Sequence, residues 1–192
     1  MARVEGIKKR LENNNTDEKT IKEIIGDGDL VNIIKRMEKS LEPDIMHDIL
    51  SSCACTGGKK YLKYCENIGK ELSGKSLKEK VDVLNKDSVS EKIMLKSAKT
   101  MTFILSNKDN NKYKCVCSAT AKKGIKVSDL TLKNNDSDDC IMPLSYCFCC
   151  AGSMLLHLQL KLGIKLKTKE IVSSPINSKG KKPCEIMFEI IS

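Results

Sequence analysis

The hydrophobic residues of this 192-residue chain change their spacing about halfway along, and that change decides the fold class. In the first half they recur every three or four residues, as in "LVNIIKRMEKSL", which is typical of amphipathic helices. In the second half, segments such as "TMTFIL", "IKLKTKEIV" and "CEIMFEI" alternate apolar and polar residues, as strands with one buried face do. The sequence therefore predicts an α+β protein.

The predicted architecture is one α+β domain over residues 1–192, with a mainly helical part at 1–98 and a sheet-containing, ligand-binding part at 99–192. In the second part the order hairpin, helix, hairpin predicts a four-stranded antiparallel sheet with one face covered by helices. The two hairpins span residues 100–119 and 164–191. A short helix around "SEKIML" is expected to close the helical part.

Capping residues indicate where several helices begin and end. Thr16 and Asp29 each precede a helical segment, and Ser76 with Glu79 three residues later forms a capping box. Gly163 can supply the left-handed residue that ends the last helix.

The composition argues against several classes of protein. No window reaches the roughly 18 uninterrupted apolar residues of a membrane helix, and the first residues lack the apolar centre of a secretory signal. We therefore expect a cytoplasmic protein in which the ten cysteines are reduced. The net charge of +9 rests on lysine, with three Arg among the 34 cations and no nucleic-acid motif, so no nucleic acid is expected as a partner.

Several cysteines are expected to converge. Cys115 and Cys117 lie two apart on a predicted strand and so share a face, while Cys147 and Cys149 stand at the start of the helix that begins near Leu144. The start of a helix favours thiolates, because its free N–H groups form the positive end of the dipole. Together these four cysteines could ligate a metal such as zinc, although any single buried cysteine is more often a packed core residue.

Two further side chains could take part in chemistry. His157 forms a polar stripe with Ser153 and Lys161 and is expected at the surface. Glu170 shares the predicted apolar face of its strand with Val172. A buried Glu170 would have a raised pKa and could act in proton transfer, whereas at a sheet edge its side chain would reach water.

The C-terminal third, "YCFCCAGSMLLHLQLKLGIKLKTKEIVSSPINSKGKKPCEIMFEI", resembles the end of 4-vinyl reductase-type small-molecule-binding domains. It is most similar to their cysteine-rich bacterial branch, some members of which are named 2-amino-thiazoline-4-carboxylate hydrolase-like. The features shared with that pattern are Cys147, Cys149, Gly152, Glu170, Gly180, Cys184 and Phe188. The upstream "KCVC" matches a Cys-any-Cys segment of the branch, with Lys114 in place of Arg. The resemblance implies a small-molecule-binding α+β domain whose cysteines could bind a metal.

These features together predict a cytoplasmic small-molecule-binding or sensor domain. Its pocket would lie between the C-terminal sheet and the helices, with Cys184 and Phe188 contacting the ligand and zinc held by the four cysteines above. The alternative is a hydrolase of a small cyclic C–N substrate, in which Cys147 or Cys149 is the nucleophile or a metal ligand and Glu170 the general acid or base. A third hypothesis is an interaction module that forms a homodimer through its helical half. The sequence leaves open whether the protein is an enzyme.

Overall fold

A computed structural model of the chain describes residues 2–117 and 142–192. The helices are α1 (Ala2–Asn13), α2 (Glu18–Ile25), α3 (Leu30–Ser40), α4 (Pro43–Ser52), α5 (Lys59–Glu71), α6 (Leu77–Asp87) and α7 (Phe148–Leu162), the last preceded by a 3-10 turn at Leu144–Cys147. The strands are β1 (Glu91–Ser97), β2 (Thr100–Leu105), β3 (Lys108–Asp109), β4 (Lys112–Tyr113), β5 (Leu166–Ser173) and β6 (Cys184–Ile190). None of the helices in these two ranges combines the length and the apolar character needed to cross a membrane.

The helix boundaries follow the capping residues. Ser76 and Glu79 form the predicted capping box at the start of α6, where each side chain accepts a backbone N–H of the other residue. Asp29 caps α3 as predicted. The start of α2 differs, because the carboxylate of Asp17 and not the hydroxyl of Thr16 accepts a backbone N–H of the first turn.

The main sheet is four-stranded and antiparallel, with the strand order β1-β2-β6-β5, which confirms the predicted α+β class. Its inner face is apolar: Met101 is paired with Phe188 and Phe103 with Ile186, and all four side chains are buried. The helices α6 and α7 pack against this sheet at β1 and β5. One hydrophobic core therefore takes in residues from both the helices and the sheet.

The first hairpin differs from the predicted one. The segment "SEKIML", predicted to be a helix, lies in β1 and pairs with β2 instead. The second strand of the predicted hairpin at 100–119 is not part of the main sheet: β4 pairs with β3 in a separate two-stranded ribbon, and β1 and β6 are the neighbours of β2. Residues 118–119 of that hairpin lie outside the described residues. The helix prediction was wrong because an apolar run of three residues does not distinguish a strand from a helix.

The helix α7 is the central element of the fold. It packs against β5 on one side and against α4 and α5 on others. Two glycines let the helix backbones approach closely: a Cβ on Gly152 would lie 2.5 Å from the carbonyl oxygen of Ser51, and one on Gly69 would collide with the carbonyl oxygen of Leu160. These contacts fix where α7 lies relative to α4 and α5.

Candidate functional site

Five cysteines from three parts of the chain meet in the interior. Cys115 and Cys117 come from the extended segment after β4, Cys147 and Cys150 from the start of α7, and Cys184 from the start of β6. The thiol of Cys150 lies close enough to interact with those of Cys115, Cys117 and Cys147, and Cys184 interacts with Cys117 and Cys147. We call these five residues the thiol cluster.

Two polar residues that were not predicted from the sequence, Tyr146 and Ser174, hydrogen-bond to the thiol cluster. The hydroxyl of Tyr146 lies 3.3 Å from the sulfur of Cys117, and Tyr146 is almost completely buried. The side chain of Ser174 hydrogen-bonds Cys147. The sequence feature that could have identified Tyr146 is its position next to Cys147 in an apolar segment. A tyrosine buried there needs a hydrogen-bond partner for its hydroxyl, and a nearby thiol can provide one.

Burial opposes the ionisation of Cys147, Cys150 and Cys184. It raises the pKa of Cys147 to about 11 and that of Cys184 to about 12. The pKa of Cys150 is also raised well above its ordinary value of 9.0. The largest cause is a hydrogen bond with the Cys117 thiol, and burial is the second. The expected preference for a thiolate at the start of α7 is therefore wrong, because the loss of water outweighs the helix dipole.

The structure brings together only part of the predicted metal-binding set. Cys115, Cys117 and Cys147 belong to the thiol cluster, whereas Cys149 is outside it, although it lines a cavity together with Cys117 and Cys150. Side chains three residues apart on a helix are rotated by about 300° around its axis, which brings them back to nearly the same face, whereas side chains two residues apart are rotated by about 200°. Cys150 therefore shares a face with Cys147, and Cys149 does not. The sulfur of Cys149 instead lies 3.5 Å from the carbonyl oxygen of Cys53.

The cluster does not form a ready metal site. Thiolate sulfur is a donor that soft metals prefer. Within residues 2–117 and 142–192, however, no three His, Cys, Asp or Glu side chains are placed to hold a metal ion. Zinc binding by Cys115, Cys117, Cys147 and Cys149 stays a prediction.

A polar stripe along α7 fixes the loop between α4 and α5. The hydroxyl of Ser153 donates to the carbonyl oxygen of Cys55 at 2.5 Å, and Nε2 of His157 lies 3.0 Å from the carbonyl oxygen of Thr56. Cys149, four residues before Ser153, contacts the same loop. His157 is only 7% exposed, so its predicted surface position is wrong. The stripe is internal because α5 packs over this side of α7.

A cavity of about 140 Å³ lies between this loop and the thiol cluster. Its walls combine sulfur, apolar and imidazole groups, among them Cys55, Val116, Cys117, Cys150, Met154 and His157. Because Cys117 and Cys150 belong to both, the cavity opens directly onto the thiol cluster. We call it the thiol pocket.

Glu170 and Phe188 lie elsewhere. A β-bulge between Thr168 and Glu170 shifts the register of β5, so Ile171 is buried and Glu170 is exposed. The prediction that Glu170 shares the apolar face is therefore wrong. Its side chain instead reaches water, as the alternative placement at a sheet edge predicted, because β5 is an edge strand. Phe188 is fully buried in the sheet between β2 and β5, while Cys184, the other predicted ligand-binding residue, is part of the thiol cluster.

No protein-family model, curated protein or solved structure matches this chain. The resemblance to 4-vinyl reductase-type domains stays a prediction, and the chemistry of the thiol pocket is the basis for a functional proposal.

Proposed function

We propose that the chain is a cytoplasmic small-molecule-binding or sensor domain whose ligand occupies the thiol pocket. The observation that carries the proposal is a group of five neighbouring cysteines from three distant segments, two of which, Cys117 and Cys150, line one cavity. A cysteine that serves only as packing acts as a small apolar residue and has no reason to be grouped with others. Grouped thiols beside a cavity are suited to contacting a ligand.

The wall of the thiol pocket favours an uncharged, polarisable ligand. A hydrogen bond with Cys117, together with burial, holds the pKa of the Cys150 thiol well above its ordinary value, so this thiol is neutral. Met154 and Val116 add polarisable and apolar surface, and no Asp, Glu, Lys or Arg is among the described residues that line the cavity. A charged ligand would therefore lose its hydration without meeting an opposite charge.

The hydrolase alternative has less support. A cysteine nucleophile reacts as the thiolate, and a pKa of about 11 keeps Cys147 protonated at neutral pH. Glu170, the predicted general acid or base, is exposed on an edge strand and away from the buried thiols. The geometry thus favours binding over catalysis.

Native mass spectrometry and elemental analysis of protein purified under reducing conditions test the proposal. We expect a bound small molecule whose occupancy falls in Cys150→Ala and is unchanged in Cys65→Ala. Cys65 is the control because it is a fully buried cysteine outside the thiol cluster, on α5, where its neighbours are Tyr61 and Lys161.

The result distinguishes the versions of the proposal. Stoichiometric zinc that is lost in Cys150→Ala would support a metal-binding sensor, whereas an organic ligand lost in the same variant would support a small-molecule pocket. Protein that carries neither, or that loses its ligand equally in both variants, would contradict the proposal. A homodimer through the helical half remains a prediction, which light scattering would decide from the molar mass in solution.

A further inference from the structure

A second cavity, of about 230 Å³, lies near the C-terminal end of α7. Residues of α5, α6, β1 and α7 form its walls, including the apolar side chains of Ile68, Leu84 and Leu158. Charged groups line it as well, and they include Lys161 and Glu91. It contains none of the thiol cluster.

Lys161 is a buried cation at the wall of this cavity. Its side chain is 11% exposed, and its Nζ lies 3.8 Å from Oε2 of Glu91 and 5.8 Å from the ring centroid of Tyr61. Burial alone would lower the pKa of Lys161, but the Glu91 carboxylate and then Tyr61 raise it overall. The amine therefore stays protonated, and the sequence-based placement of Lys161 on a solvated stripe is wrong.

The ion pair between Lys161 and Glu91 leaves hydrogen-bonding capacity for a ligand. Its separation of 3.8 Å is longer than the roughly 2.8 Å of a charge-assisted hydrogen bond. Neighbouring polar side chains are already engaged: the carboxamide of Asn85 bonds both backbone groups of Ile93, and the hydroxyl of Ser88 accepts the N–H of Glu91. A ligand in the cavity would thus meet the Lys161 ammonium, which also hydrogen-bonds Tyr61, next to the Glu91 carboxylate, with Asp87 as a second carboxylate in the wall.

We propose that this cavity binds a zwitterionic α-amino acid with an apolar side chain. The α-carboxylate lies against Lys161 and the α-ammonium against Glu91, so each charged group of the ligand contacts a group of opposite charge. The apolar side chain packs against Leu84, Leu158 and the ring of Tyr61.

Both charges of the ligand are required. A ligand with only a carboxylate would place a second negative charge beside Glu91, and one with only an amine would place a second positive charge beside Lys161. Asp87 also lines the cavity, so the wall holds two carboxylates and one ammonium, which adds to the penalty for the first ligand. The second ligand still lacks a carboxylate to contact Lys161, and this missing contact is what weakens its binding.

Titration of the ¹⁵N-labelled protein with L-leucine tests the proposal. We expect saturable amide shifts around Leu84 and Leu158, and affinity at least about tenfold weaker for 4-methylpentanoate, which lacks the ammonium, and for 3-methylbutylamine, which lacks the carboxylate. Lys161→Met and Glu91→Gln should each weaken L-leucine binding by about tenfold or more. Lys80→Met is the control, because the Lys80 amine bonds the carbonyl of Leu162 outside the cavity.

Equal binding of L-leucine and either analogue would overturn the proposal, as would the absence of saturable shifts up to tens of millimolar. Unchanged binding in Glu91→Gln would do the same. Circular dichroism checks that Lys161→Met folds, and if it does not, Glu91→Gln and the two analogues decide the question without it. These outcomes are independent of any ligand in the thiol pocket.

Discussion

Replacing Gly152 with alanine should force α7 away from α4 and loosen the thiol pocket. The added Cβ would lie 2.5 Å from the carbonyl oxygen of Ser51 and 2.9 Å from its Cα. Both are backbone atoms near the end of α4, so they cannot rotate aside as the tip of a side chain can. The helices must shift, and because Gly152 lies two residues after Cys150, the shift reaches the thiol cluster.

Two effects of opposite sign set the magnitude. Alanine is favoured over glycine in a helix interior by about 1 kcal/mol, whereas overpacking typically costs about 1–3 kcal/mol. A clash with rigid backbone belongs in the upper part of that range, so we expect a net loss of about 1–2 kcal/mol in the free energy of unfolding. Gly6 in α1 is the matched control, because a Cβ there would meet only the sulfur of Cys53, at an ordinary 3.9 Å. Gly6→Ala should therefore gain about 0.5–1 kcal/mol.

Urea unfolding in reducing buffer, followed by circular dichroism, measures both changes. We expect a lower midpoint for Gly152→Ala, a higher one for Gly6→Ala, and faster alkylation of Cys150 by iodoacetamide in the first variant only. If both variants gain stability and Cys150 reacts at the same rate in each, the backbones of α4 and α7 are not as close as the geometry states, and the reasoning is refuted.

Three further changes test separate parts of the fold. Ser76→Ala removes the capping box of α6 and should lower the free energy of unfolding by about 1 kcal/mol in urea titrations; an unchanged value would contradict the cap. Asn85→Ala removes two hydrogen bonds to the backbone of Ile93, so we expect a loss of about 2 kcal/mol and faster amide exchange at Ile93; unchanged exchange would count against it. The folded-state pKa of Cys147, about 11, is above its ordinary 9.0, so its contribution to stability is complete below pH 9 and is lost as the pH rises towards 11. That loss, roughly 2 kcal/mol at pH 11, should be absent in Cys147→Ala when urea unfolding at pH 8 and pH 11 is compared; equal losses in both proteins would show that this thiol is not desolvated.

Features that depend on neighbouring residues could be predicted from the sequence. The capping box needs only Ser76 and Glu79 three residues apart, and the alternation in β2 and β6 is a property of each strand alone. The strand β1 is different. Its consecutive apolar residues Ile93, Met94 and Leu95 fit either a helix or a strand, and only pairing with β2 decides between them.

Most side chains of the thiol cluster could be predicted from the sequence, but the choice between Cys149 and Cys150 could not. The run "CFCC" offers Cys149 and Cys150 equally, and the choice between them depends on the rotation of α7 about its axis as it packs on the sheet. The bulge at Glu170 is a similar case, since one extra residue moves every later side chain to the other face. Tertiary packing sets both, and neither has a local signal in the sequence.

The polar stripe along α7, formed by Ser153, His157 and Lys161, is related to the position of both cavities. Ser153, His157 and Lys161 would form a solvated stripe only if one side of the helix faced water. Because α7 is packed on several sides, each of these groups must find a partner inside the protein. Ser153 and His157 bond the carbonyls of the α4–α5 loop, which forms a wall of the thiol pocket, while Lys161 faces Glu91 at the wall of the second cavity. Tyr61 stands between the two, since its ring lies edge-on to His157 at 4.7 Å and also faces Lys161. The buried polar groups of the stripe thus find their partners at two places, and one cavity lies at each of them.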